Sequence, residues 1–144
     1  MKILAVLFAA CAISLGLAQE ESLSPKQRAM YAILDEVPVS ARARTNPYQG
    51  SAREAAAGGK LYEQHCVECH GAKAAGTRYG PSLLRKEVRQ TPPGSLFWIL
   101  TNGVVRRGMP VWSKLPEPQR WQIVTFLQQI NEGRQMQPTP PGQD

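Results

Sequence analysis

A chain of 144 residues, 42% hydrophobic and 19% charged, is short for more than one domain with extensions. Its formal charge of +6 is too modest and too scattered for a nucleic-acid binder, and suits an acidic protein partner instead. Three cysteines and two histidines leave too few ligands for a zinc site. Met1 to Ala18 reads as a secretory signal peptide: Lys2 is the basic start, Ile3 to Leu17 is apolar apart from Ser14, and Gly16-Leu17-Ala18 suits cleavage. That run is too short, and too promptly followed by Gln19-Glu20-Glu21, for a stable span, so no transmembrane segment is expected in the mature chain. Acylation of Cys11 after Phe8-Ala9-Ala10 is the less favoured alternative.

Residues 19–50 form an arm. Ser24-Pro25-Lys26-Gln27 has the pattern of a helix start, with Ser24 as cap, Pro25 in first position and Gln27 completing a capping box. Met30, Ile33, Leu34 and Val37 follow at helical spacing until Pro38. This short amphipathic helix either packs on the body or docks a partner. Residues 40–50, with Arg42, Arg44, Asn46-Pro47 and Gly50, read as an extended linker.

A compact domain is expected from about 51 to 132. Ala52 to Cys66 has helical composition and leads into Cys66-Val67-Glu68-Cys69-His70, a C-x-x-C-H box of the kind that attaches a c-type haem. Two thiols within one helical turn can add to the two vinyl groups of one porphyrin. The adjacent histidine then lies under the iron. A bare C-x-x-C also fits a thioredoxin-like pair, half a zinc site or a disulfide. No strand-like alternation flanks the box, however, and an exported chain agrees with extracytoplasmic haem attachment. On these residues the chain resembles a class I c-type cytochrome. The resemblance implies an all-α fold wrapped around one covalently attached haem c, with Cys66 and Cys69 as thioether donors and His70 as an axial ligand. It also implies that Gly58 and Tyr62 on the first domain helix cross Ile123 and Phe126 on the last.

Gly71 to Gly80 reads as a polar loop, and Tyr79-Gly80-Pro81-Ser82-Leu83 is similar to a family segment whose proline carbonyl accepts the proximal histidine's Nδ1 proton. An ordinary loop proline is the plainer reading of Pro81. A helix over Ser95 to Val105, capped by Ser95, would turn Phe97, Trp98, Leu100 and Thr101 toward porphyrin or core. Arg107-Gly108-Met109-Pro110-Val111-Trp112 then resembles the loop of the second axial ligand, which makes Met109 the candidate; Met30 falls on the arm's stripe and Met136 in the tail. His65 reads as a surface or core histidine. Trp98, Trp112 and Trp121 are expected around the haem. Arg106 and Arg107 meet propionates, a partner or solvent, and Asn102 and Tyr79 carry only weak claims.

A last helix is expected from Pro118 to Asn131, ended by Gly133, before a disordered tail over 133–144. The resemblance implies a periplasmic carrier of single electrons between redox partners, either diffusing between complexes or serving a periplasmic dehydrogenase as its acceptor, and no enzyme in its own right. The alternatives are a haem subunit of a larger redox enzyme and, below it, a peroxidase or gas-binding protein.

Overall fold

The computed structural model describes residues 23–135. The signal segment with Cys11, residues 19–22 and the tail from residue 136 lie outside the described residues. The order is α1 (Pro25–Tyr31), α2 (Val39–Arg42), α3 (Ala52–His65), α4 (Val67–His70), α5 (Lys86–Arg89), α6 (Pro93–Asn102) and α7 (Glu117–Gln135). Single 3-10 turns occupy Ala32–Leu34 and Val105–Arg107. Among the described residues there is no strand, only an isolated antiparallel bridge between Val104 and Met109. The all-α expectation holds.

The frame is the crossing of α3 and α7. A Cβ on Gly58 would land on the Gln122 carbonyl and lie 2.9 Å from the Ile123 amide nitrogen, so only glycine allows the backbones this close. Tyr62 and Phe126 meet with ring centroids 5.2 Å apart, beside the buried Ile123. Gly59 lies under Phe126: its Cβ would sit 3.3 Å from the ring.

The arm is part of the body. Ser24 caps α1 as expected, its Oγ accepting from the Gln27 amide at 3.2 Å while Gln27 Oε1 accepts from the Ser24 amide at 2.9 Å. The stripe faces inward, with Val37 buried. Residues 40–50 are no extended linker. Pro38 starts α2, and the Arg42 guanidinium donates to the carbonyls of Val37 (2.7 Å) and Asp35 (2.6 Å), tying the turn ahead of it. Gly94 of α6 lets α2 approach, since a Cβ there would strike the Ala41 carbonyl and lie 2.7 Å from that of Arg44. Asn46 is buried and donates to Thr125 Oγ1 (2.9 Å) and Gln128 Oε1 (2.7 Å) of α7. Arg44 lies over the rings of Phe97 and Trp121 and pairs with Glu117 at 2.6 Å.

Two further expectations are corrected. Ser95 is not a cap: α6 begins at Pro93, whose fixed φ and missing N–H suit the first helical position, and Pro92 takes the cap. Ser95 is therefore buried inside the helix. Gly133 does not end α7, which continues to Gln135. One exposed glycine costs a helix about 1 kcal/mol, too little to stop one whose preceding turns are packed.

Candidate functional site

The C-x-x-C-H box folds as its spacing suggests. After α3 ends at His65, Cys66 caps the single turn α4, and Gly71, at φ +78, turns the chain away behind His70. The amides of Cys69 and His70 both donate to the Cys66 carbonyl. Both thiols are free of any disulfide. They open on a cavity of about 340 Å³ whose wall also carries His70, Met109, Pro81 and Trp112. The sequence-predicted residues Cys66, Cys69, His70, Pro81 and Met109 are thus brought to one cavity.

Burial pushes the Cys66 thiol up to about 11, with Cys69 adding to the shift, so it is a neutral thiol at neutral pH. Burial holds His70 below the ordinary histidine value, against a smaller opposite effect of its bond to Pro81. The ring is therefore neutral. Its Nδ1 lies 2.8 Å from the Pro81 carbonyl oxygen, which can only accept, so Nδ1 carries the proton and Nε2 keeps a lone pair. Gly80 makes this possible: a Cβ there would lie 2.9 Å from the Cys69 carbonyl oxygen.

Met109 reaches the wall on a loop held by main-chain bonds. Val104 N donates to the Met109 carbonyl at 3.0 Å, Met109 N to the Val104 carbonyl at 3.3 Å, and Trp112 N to the Leu100 carbonyl at 3.1 Å. Gly103 and Gly108 both take positive φ, +66 and +87. Val105 and Val111 stand exposed on this loop beside Arg106 and Arg107, with Lys114 beyond.

Other expectations fare unevenly. Of the tryptophans only Trp112 lines the cavity, its ring centroid 5.0 Å from that of His65. Trp121 stacks on Phe97 at 4.1 Å in a second cluster away from it. Asn102 donates to the Trp98 carbonyl one turn back. Tyr79 is at the cavity mouth, with Arg78 over its ring.

Sequence reasoning missed the arm's share. Met30, Tyr31, Ile33 and Leu34 all line the cavity, so a second thioether stands on its wall. The helical stripe was the available signal, but a stripe does not say what it covers. Among the described residues, no group of three or more His, Cys, Asp or Glu is placed to hold a metal ion. No helix there is long and apolar enough to cross a membrane.

The family model described as cytochrome c oxidase, cbb3-type, subunit III matches residues 53–127. Among solved structures, the chain is similar to cytochrome CL from the marine methylotrophic bacterium Methylophaga aminisulfidivorans MPT. Identity is 19% and the TM-score 0.53, over 81% of this chain and 71% of that one. At that identity the likeness shows a shared fold. No curated protein matches the chain.

Proposed function

Since the chain belongs to the c-type cytochrome family described as cytochrome c oxidase, cbb3-type, subunit III, for which haem c and electron transfer are implied, we propose that it is a periplasmic monohaem carrier. In this reading Cys66 and Cys69 hold one haem as thioethers, and His70 and Met109 ligate its iron. The residues fit that group. An apolar cavity of this size offers two free thiols, one neutral imidazole with Nε2 available, and a thioether. The haem supplies a one-electron couple. The chain's own work is to anchor, orient and exclude water. Pro81 fixes the His70 ring and strengthens it as a donor. A methionine ligand raises the potential relative to a second histidine. No bond is made in a substrate, so the protein is a carrier and not an enzyme in itself.

The observation that carries this reading is the His70–Pro81 bond at 2.8 Å on a wall shared with Cys66, Cys69 and Met109. Acid-acetone extraction of the purified protein tests it. The haem should stay with the chain, whose mass should exceed that of the polypeptide by one haem; free haem in the organic phase overturns the attachment. Met109→Ala should abolish the sulfur-to-iron charge-transfer absorption while the haem stays attached. If the absorption survives in Met109→Ala and vanishes in Met30→Ala, Met30 is the ligand.

For the partner, exposed Val105 and Val111, with exposed Arg106, Arg107 and Lys114 near them in the chain, suit an acidic docking surface around a small apolar contact. Attraction of this kind fades as the Debye length shortens from about 10 Å at 0.1 M salt to about 3 Å at 1 M. Electron-transfer rates with the partner should therefore fall with salt in wild type and be low in Arg106→Glu/Arg107→Glu; rates indifferent to both would make docking apolar. The family description favours one second reading, a haem subunit of a larger redox enzyme. Co-purification of a large partner distinguishes it from a free carrier.

A further inference from the structure

Three consecutive carbonyls, those of Pro81, Ser82 and Leu83, are each taken by a side chain from a different element. His70 of α4 holds the first, at 2.8 Å. The Tyr31 hydroxyl of α1 donates to the second, also at 2.8 Å. Asn131 Nδ2 of α7 donates to the third at 3.1 Å. The Leu83 amide donates to the Ala74 carbonyl at 2.8 Å, which leaves the segment little freedom. Tyr31 and Asn131 are 8% and 5% exposed, so water competes poorly for either bond. Both lie outside the family-matched residues 53–127.

We propose that Tyr31 and Asn131 are positioning residues: by clamping Ser82 and Leu83 from two sides they hold the Pro81 carbonyl on His70 and thereby set the potential of the iron. The inference rests on the ligand role proposed above for His70. A carbonyl held firmly on Nδ1–H makes the imidazole a stronger donor, which stabilises the oxidised iron and lowers the potential. Loosening the clamp should raise it. Burial also pushes the Tyr31 phenol upward in pKa, against the smaller effect of Arg85, so it remains a donor at neutral pH.

A purely covering role for the arm predicts the opposite sign. If the Tyr31 bond only kept the arm seated, losing it would admit water to the cavity, and water stabilises the charged oxidised iron and lowers the potential. The sign separates the two.

The test uses the full holoprotein as Tyr31→Phe, Asn131→Leu and both together. Acid-acetone extraction and the charge-transfer absorption first establish attached haem with its axial ligands in place; failure there counts against the function proposed above. Spectroelectrochemical titration should then show a higher midpoint potential in each single variant and a larger rise in the double. Exchange of the His70 Nδ1 proton, followed by NMR, should quicken about fivefold for each bond lost, the factor that one ordinary net hydrogen bond commands. Unchanged potential and exchange, or a fallen potential, overturns the clamp. Tyr31→Phe keeps its ring in the cavity wall and decides the matter alone if Asn131→Leu folds poorly.

Discussion

On the His70 side of the cavity, side chains from α1, α4 and α7 converge on the segment 81–83; on the Met109 side, the loop 103–112 is tied mainly by its own main chain and two glycines at positive φ. The first arrangement draws on residues far apart in the chain, so it forms only when the whole fold forms. The second is local, and its outer residues stand in solvent. A loop of that kind can change its contacts without unfolding the body, which suits the docking role proposed for it. The pinned side suits the group whose orientation must not drift.

This contrast predicts where substitutions cost global stability. Gly58→Ala should be the most damaging, because its methyl would meet the backbone of Gln122 and Ile123 and force α3, which leads into the cysteine box and His70, away from α7, which carries Asn131. Overpacking of this kind costs about 3 kcal/mol, to be read as a lower urea midpoint at unchanged slope. Gly59→Ala is the control. Its methyl would sit 3.3 Å from the Phe126 ring, which has only to yield slightly, and alanine gains up to about 1 kcal/mol in a helix. A fall in Gly59→Ala as large as in Gly58→Ala would mean that the crossing is not the sensitive point.

Next comes Asn46→Ala. It removes both donors' bonds to α7 and the Oδ1 that accepts from the Tyr48 amide at 2.9 Å, all at a buried position. A loss of about 2 kcal/mol is expected, with earlier proteolysis in the arm. If the arm is cut no sooner than in wild type, Asn46 is not what fastens it.

The same contrast explains what the sequence revealed. The cysteine box, Pro81 and the Gly-Met-Pro loop are local signals, each defined within a few residues, and the structure brings them to one cavity. Gly58 and Tyr62 were legible because the family resemblance supplied their partners. Asn46 was not, since nothing in Arg44-Thr45-Asn46-Pro47 announces acceptors on a helix some eighty residues away. Tyr31 was hidden by its own stripe: helical spacing located the apolar neighbours, while the bond that matters runs from its hydroxyl to a loop carbonyl. Ser95 misled because a serine after Pro-Gly looks like a cap, although two prolines had already started the helix.

On the Met109 side the costs should be smaller. Gly108→Ala meets no atom within 4 Å, so its only penalty is a left-handed backbone at φ +87. That is worth about 1 kcal/mol, and it should appear as faster amide exchange confined to 103–112 with the axial ligand spectrum retained. A global loss comparable to that of Gly58→Ala would erase the distinction between the two sides.

The mildest prediction concerns acid. Glu54 lies at the α3–α7 crossing, where Gln122 Nε2 donates to its carboxylate at 2.7 Å and Arg53 pairs with it at 2.6 Å. The Gln122 bond, ahead of the opposing effect of burial and with help from Arg53, holds its pKa below the ordinary carboxylate value. A carboxylate whose folded pKa is depressed contributes stability above its unfolded value, near 4.5, and loses it as pH falls through the folded one. Glu54→Gln should therefore differ most from wild type at neutral pH, and the difference should shrink as the pH falls through the depressed folded value, where the carboxylate accepts a proton. Residues 103–112 contain no Asp or Glu, so the Met109 loop has no such acid dependence of its own. Residue-resolved protection factors at neutral and acid pH would read both sides at once. Protection in α3 should weaken on acidification in wild type and less so in Glu54→Gln, beyond any change in 103–112. Equal weakening of the two regions in both proteins would mean that acid acts on the fold as a whole, and that the Glu54–Gln122 bond is not what makes the His70 side sensitive to it.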